Sequence, residues 1–413
     1  MPEYFDTLET RAPEERERAL MAMLPRQIEH AQRNSPGFAR VLAGVEPREI
    51  SSRAALAQLP VIRKSELKDL QHAAPPFGEL TATAPGSLAR IFMSPGPIYD
   101  PEGRREDYWR TARPLFAAGF RRGDILQNCF SYHFTPAASM VEGGAFRLGC
   151  AVIPAGTGQT EMQVQAMALL KPDGYVGTPS FLKIIIEKAR ETGADISSLK
   201  RAAVGAEALP PSLRTWLKEH GAPTVLQWYG TADLGSIAYE SEAMEGMILD
   251  EEIILEIVRP GTAEPLPEGE VGEVVVTTLN PDYPLIRFGT GDLSAVLPGI
   301  SPCGRTNTRI KGWMGRADQS TKVKGMFVHP AQVAQVTKRH PEIVKARLVV
   351  EHDDAAMDRM TLRCEVNAGN EDLMRAIAET VRDVCKLRGE VSFCAPGVLP
   401  NDGKVIEDAR QYT

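Results

Sequence analysis

Leu285-Ile-Arg-Phe-Gly-Thr-Gly-Asp292 sets an apolar pair, a cation, an aromatic ring and two glycines ahead of a carboxylate. It follows the strand-like run Gly272-Glu-Val-Val-Val-Thr-Thr278 and a proline-bearing turn at 280–284. The pattern predicts a buried strand over 285–288 that opens into a glycine loop. Glycine lets a backbone turn sharply or approach a ligand closely, and a carboxylate beyond it can accept two hydroxyls, as a ribose presents. The same residues also suit a surface turn with a local ion pair, so the stretch takes its meaning from its surroundings.

Upstream, strand-like runs at 124–130, 150–154, 174–176, 200–205 and 223–228 alternate with helical patterns at 136–148, 161–170, 180–192 and 211–220. Such alternation predicts a parallel α/β sheet whose ligands gather at loops beyond the carboxyl ends of the strands. Three of those loops read Thr178-Pro-Ser180, Gly205-Ala-Glu207 and Trp228-Tyr-Gly-Thr-Ala-Asp233. Each is ordinary turn chemistry by itself. On consecutive strands they bring small and polar residues to one rim, to which the next sheet adds Asp292.

Before this alternation, the first 85 residues read as helical and then loop-rich, with Ser51-Ser-Arg capping a short helix. A strand at 88–93 runs into Ser94-Pro-Gly-Pro-Ile-Tyr-Asp-Pro-Glu-Gly103, read as a loop, and a helix of about 15 residues is expected from Arg105. After Tyr229, runs at 234–239, 247–258, 271–278 and 285–288 predict an antiparallel sheet or distorted barrel. The last stretch predicts strands at 322–328, 346–351, 361–366 and 390–394 with helices at 330–339 and 373–387. The expected fold class is therefore α/β, with a large multi-sheet N-terminal domain at 1–317 and a small α+β domain at 318–413.

Composition bounds the function. A chain of 413 residues exceeds one ordinary core. Its 43% apolar and 24% charged content is that of a soluble globular protein. A net charge of −7 argues against nucleic-acid or anionic-membrane partners. No apolar run of about 18 residues is present to span a bilayer, and the N-terminus lacks the apolar core of a signal peptide. The six cysteines are scattered without a CxxC pair, as expected of reduced thiols in a cytoplasm.

The ordered motifs resemble those of the acyl-adenylate-forming superfamily, and within it the phenylacetate–CoA ligase family. The resemblance covers about residues 20 to 413. It is carried by Arg147-Leu-Gly-Cys-Ala-Val-Ile-Pro154, Gly158-Gln-Thr-Glu161, Gly177-Thr-Pro-Ser180, Gly205-Ala-Glu207, Tyr229-Gly230, Arg287-Phe-Gly-Thr-Gly-Asp292, Gly315-Arg-Ala-Asp318 and Pro400-Asn-Asp-Gly-Lys404. It implies a large domain and a small mobile one, with the active site between them. The implied reaction joins a carboxylic acid to ATP, giving an acyl-adenylate and pyrophosphate, and then to CoA as a thioester.

The resemblance also implies roles. Asp292 would hold the ribose hydroxyls, while Tyr229, with Gly230 and Thr231 after it, and the turn Gly205, Ala206 and Glu207 would hold the adenine. Lys404 would bridge carboxylate and α-phosphate oxygens as charge builds in the transition state. Arg316 would contact the nucleotide, Asp318 would be the hinge, and Gly325 would line the CoA tunnel. Tyr132 and His133 fall where the acyl pocket begins; a buried structural histidine is the competing reading of His133. The implied partners are ATP or AMP, CoA, Mg and a small carboxylic acid, aromatic by family expectation, with a homodimer left open.

Three departures stand against this frame. The family's phosphate loop is rich in Ser, Thr and Gly and ends in lysine; its place here is taken by residues 94–103, where prolines remove N–H donors and Asp100 and Glu102 repel phosphate. Arg104 and Arg105 are the nearest replacements for the missing cation. The usual Thr-Glu pair after Tyr-Gly is Ala232-Asp233, leaving Asp233 to face magnesium with a shorter side chain. Relatives with zinc use a Cys/His set of which only Cys303 remains, so no zinc is expected. Two alternatives to the ligase follow from these departures. One is a catalytically impaired homologue that binds adenylate or acyl-CoA; the other is an enzyme acting on preformed acyl-adenylate or thioester.

Overall fold

The computed structural model describes residues 3–94, 96–317, 319, 321–323, 326–352 and 358–410. Asp318 and Gly325 lie outside the described residues.

The parallel sheet forms where the alternation predicts it. Strands Ala151–Pro154, Ile125–Asn128, Gly174–Gly177, Arg201–Val204 and Thr224–Thr231 lie side by side in that order. Successive residues point to opposite faces, and the packing follows that period. Tyr175, Ala202, Val204 and Val225 join Leu182, Ile185, Ile186 and Leu217 in one core. Val176, Ala203 and Leu226 join Phe120, Val141 and Ala145 in the core on the other face. Helix Pro179–Thr192 shows how the ends are set: Thr178 Oγ1 accepts from Phe181 N at 3.4 Å, proline follows, and Gly193 closes the helix at φ +67°.

Strand Gly235–Tyr239 pairs antiparallel with Thr224–Thr231, and Met247–Leu249 and Arg309–Ile310 continue that edge. The expected single strand at 247–258 is broken. Buried Asp250 accepts from Glu252 N at 3.0 Å and faces Arg110 Nε at 3.0 Å, which turns the chain before Ile253–Val258 begins. That second piece enters another sheet, ordered Ile62–Arg63, Phe288–Ser294, Gly272–Thr278, Ile253–Val258. The later strands thus divide between two sheets and do not form one barrel.

The opening stretch also differs from its expected form: the strand is Phe288–Ser294, starting where 285–288 was expected to end. Arg287 takes φ +46° and is fully buried, its Nη1 donating to Ala57 O at 2.8 Å and Leu59 O at 2.5 Å. Residues 94–103 are likewise no open loop. Arg90–Ser94 and Ile98–Glu102 form an antiparallel hairpin in which Phe92 faces Asp100 and Ile91 faces Pro101. The helix expected from Arg105 is only Ala112–Ala117. Asp107 and Arg110 hold positive φ, and the Asp107 carboxylate accepts from Thr111 N and Ala112 N at 2.8 and 3.1 Å, so the helix starts late.

Packing divides the chain into two compact units. The first is Met1–Leu255, Val276–Phe288 and Leu297–Trp313; the second is Glu256–Val275, Gly289–Val296 and Met314–Thr413. In the second, strands Glu390–Cys394, Asp358–Val366, Ile343–His352 and Ile406–Asp408 form a sheet in that order. Helices Pro330–Arg339 and Glu371–Cys385 contribute Val333, Val336, Ile377 and Val381 to its core.

Candidate functional site

In the first unit, the expected rim residues stand at the ends of neighbouring parallel strands. Gly205, Ala206 and Glu207 follow Arg201–Val204, and Tyr229, Gly230 and Thr231 end the next strand. Ala206 is left-handed at φ +64° and exposed; Glu207 Oε2 accepts from Ser180 N at 3.4 Å, joining two of the predicted loops. Tyr229 is buried within its strand, and the pairing shifts register between Tyr229 and Gly230. Glycine is required there, because a Cβ on Gly230 would lie 2.5 Å from Gly235 O. Thr231 Oγ1 accepts from Leu234 N at 3.2 Å and so shapes the turn into Asp233.

Asp233 is buried with Lys64 Nζ at 2.6 Å from its Oδ2. Beside it is Asp100 on the hairpin. Its carboxyl is pushed up to about 8, first by burial and then by the Asp233 charge. These are hard oxygen donors, a set that fits a divalent cation such as magnesium. Sequence reasoning placed Asp233 but missed both partners. Nothing local marks them, since Lys64 is 169 residues from Asp233 in the chain. Arg104 and Arg105 do not turn toward this pair. Arg104 donates to Ser87 O and Leu88 O at 3.1 Å, and Arg105 reaches Glu252 at 3.3 Å and Tyr108 O at 3.2 Å.

In the second unit, three predicted residues from separate stretches converge. Asp292 Oδ1 accepts from Arg316 Nη1 at 3.0 Å, and the two residues also form a backbone bridge. Arg316 and exposed Lys404 line one cleft of about 240 Å³, with Leu293, Met314 and Gln319. The lysine loop is anchored on both sides. Gln319 Oε1 accepts from Val405 N and Ile406 N at 2.8 and 3.0 Å, and Arg347 pairs with Asp402. Gly403, at φ +70°, packs so closely that a Cβ would lie 2.5 Å from Val271 Cγ1. A larger groove of about 1240 Å³, lined by Arg259, Lys338 and Lys345, also reaches Lys404. Of these two, the smaller cleft is the one that brings Arg316 to the lysine.

The acyl-pocket candidates are half surface features. Tyr132 Oη donates to Glu142 Oε1 at 2.9 Å and accepts from Asn128 Nδ2 at 3.0 Å. His133 is exposed and meets Phe134 edge-on, so it is no buried structural histidine. Cys303 is buried. Burial raises its pKa, but hydrogen bonds from Ser241, Ser301 and Arg305 outweigh that and lower it. Among the described residues, no group of three His, Cys, Asp or Glu side chains is set to hold a metal.

A family model described as AMP-binding enzyme matches residues 107–280. Among solved structures, 2-hydroxyisobutyryl-CoA ligase, in an open conformation with 2-HIB-AMP and CoA, is 26% identical with a TM-score of 0.72, covering 95% of this chain and 91% of that one. The fold is that of the acyl-adenylate-forming enzymes. The phenylacetate-coenzyme A ligase of Thermus thermophilus is 32% identical over 395 residues, covering 92% of this chain and 87% of that protein. That of Escherichia coli K12 is 31% identical over 372 residues, covering 86% and 82%. This chain belongs to the phenylacetate–CoA ligase family, and it is an AMP-forming acid–CoA ligase. Among the described residues, no helix is long and apolar enough to cross a membrane.

Proposed function

We propose that this enzyme activates an aromatic carboxylic acid with ATP and transfers the acyl group to CoA, in a cytoplasm and without zinc. In the first step, an acid oxygen attacks the α-phosphorus and pyrophosphate leaves. Lys404 supplies the cation at that charge-building centre, acting on negative charge that peaks in the transition state. Asp292 accepts the ribose hydroxyls, with Arg316 fixing its carboxylate from one side. Tyr229, Gly230 and Thr231 flank the adenine with the turn Gly205–Glu207. Asp233 holds magnesium, which when bound screens the polyphosphate charge. In the second step, the CoA thiolate attacks the acyl carbonyl and AMP leaves. The domain boundary at 317/318, the hinge at Asp318 and the CoA contact at Gly325 belong to this step. Tyr132 and His133 flank the acid.

The observation that supports this reading most is the pairing of Asp292 with Arg316, which lines one cleft together with Lys404. A protein that only bound adenylate would have little need of the lysine. The aromatic preference draws on relatives that are phenylacetate–CoA ligases. Pyrophosphate release measured over a panel of aryl, short-chain and 2-hydroxy acids tests it. Turnover restricted to aryl acids is expected, and turnover restricted to aliphatic acids would overturn the substrate class. A size-exclusion measurement of mass decides between monomer and homodimer.

A further inference from the structure

In the second unit, the Lys404 loop crosses a buried cation that the sheet beneath it does not need. Strand Ile343–His352 sets Leu348 and Val350 on the face packed by the helices, so its alternation puts Lys345, Arg347 and Val349 on the other. Arg347 is 4% exposed, and the residue opposite it on strand Asp358–Val366 is Arg363. Like charges set directly across a sheet are unfavourable. A buried guanidinium also carries a desolvation cost that an alkyl side chain of similar volume would avoid. Sheet packing therefore gives no reason for an arginine at this position.

Its partners come from the stretch around Lys404. Arg347 Nη2 donates to Pro400 O at 3.2 Å and pairs with Asp402 Oδ1, while Nη1 donates to Glu407 Oε2 at 3.0 Å. Asp402 Oδ1 also accepts from the Lys404 backbone N at 3.0 Å. One carboxylate oxygen thus ties the guanidinium to the lysine's own peptide. Beyond the lysine, Leu348 N donates to Val405 O at 2.9 Å, and Leu348 pairs in register with Ile406. Lys404 is held by strand pairing after it and by the Arg347–Asp402 bridge before it. Asp402 and Glu407 are the nearest acids on either side of Lys404 in the chain, and both pair with Arg347.

We propose that Arg347 is a positioning residue of the first half-reaction. Acting through Asp402, it fixes the Lys404 backbone and holds the neighbouring carboxylates away from the ammonium, which stays available to the developing negative charge. The role rests on the assignment of Lys404 to adenylation. Every group it uses belongs to the second unit.

The test uses the full chain and two variants. Arg347→Met removes the guanidinium; Asp402→Ala cuts the same bridge while keeping the arginine, and replaces Arg347→Met if that variant does not fold. In amide hydrogen exchange read by mass spectrometry, the segment 400–405 should lose protection while the buried strand at 346–350 keeps it. Unchanged protection at 400–405 overturns the proposal independently of any activity. Pyrophosphate–ATP exchange should fall roughly 10²-fold in Arg347→Met, the scale of a small misplacement of a reacting group, with AMP affinity unchanged. Added to Lys404→Ala, Arg347→Met should lower the rate no further, because the arginine acts through the lysine. An equal loss with and without the lysine marks a general structural role and overturns the proposal. A fully active Arg347→Met beside an impaired Lys404→Ala overturns it and leaves the ligase reading standing. A fully active Lys404→Ala overturns the lysine's own assignment, and the proposal with it.

Discussion

Glu9→Gln should cost the first unit several kcal/mol, although Glu9 is far from any site residue in the sequence. The carboxylate is 1% exposed. Its Oε1 accepts from Tyr239 Oη at 2.6 Å and faces Arg305 Nε at 3.2 Å; Oε2 accepts from Phe5 N at 2.8 Å. Arg305 is as deeply buried, and its other acidic neighbour, Glu242, is 4.0 Å away with its side chain 61% exposed. Neutralising Glu9 thus leaves a buried guanidinium nearly uncompensated, a change that costs about 3–5 kcal/mol. That is a large share of the roughly 5–15 kcal/mol that holds a native protein together. All the tryptophans (109, 216, 228 and 313) lie in the first unit, so their fluorescence in urea reports its unfolding. The midpoint should fall with the slope unchanged. Adding Arg305→Met to Glu9→Gln should recover much of the loss, because the stranded charge is gone. A loss below about 1 kcal/mol, or costs that simply add in the double variant, would refute the reasoning.

Asp292→Ala should weaken AMP binding by about 1.5–3 kcal/mol through loss of a charged acceptor; calorimetry giving equal affinity would count against the ribose site. In metal-free buffer, Asp100 gives a stability–pH signature. Its folded pKa is about 8, raised by burial and Asp233, against about 4 in the unfolded chain. Stability from the protonated carboxyl is complete below the unfolded value and is lost as pH rises toward 8. Asp100→Asn should therefore lose less stability than wild type over that window, and parallel curves would contradict the assignment. Gly403→Ala forces a Cβ toward Val271 and strains a left-handed residue beside Lys404. Pyrophosphate exchange should drop while AMP affinity stays near wild type; unchanged exchange would show that the loop's position is not critical.

The parts legible in the sequence were those with a local period. Strands alternating with helices placed Gly174–Gly177, Arg201–Val204 and Thr224–Thr231 in one parallel sheet, and helix Pro179–Thr192 falls on the pattern at 180–192. The hairpin escaped because prolines read as loop. Pro101 is tolerated there in a sheet of two strands, both of them edges. The helix expected from Arg105 failed on positive φ at Asp107 and Arg110, a conformation rare for non-glycine residues and set by the surrounding fold. For the site, the motif order named Asp292, Arg316 and Lys404. The environment of Asp233 depended on Lys64 and Asp100, distant contacts that leave no local signature. Arg287, read as part of a strand over 285–288, is instead a positive-φ residue before the strand and a buried clamp on Ala57 and Leu59.

The most direct test compares Lys404→Ala with wild type in the two half-reactions. Pyrophosphate exchange reads adenylation, and CoA-dependent turnover of a synthetic acyl-adenylate reads thioester formation. Lys404→Ala should reduce exchange roughly 10²–10³-fold, the scale set by losing one preorganised donor at a developing negative charge. Turnover of the supplied adenylate should change far less. Equal damage to both half-reactions, or exchange that survives without the lysine, would contradict the assignment of Lys404 to the first step.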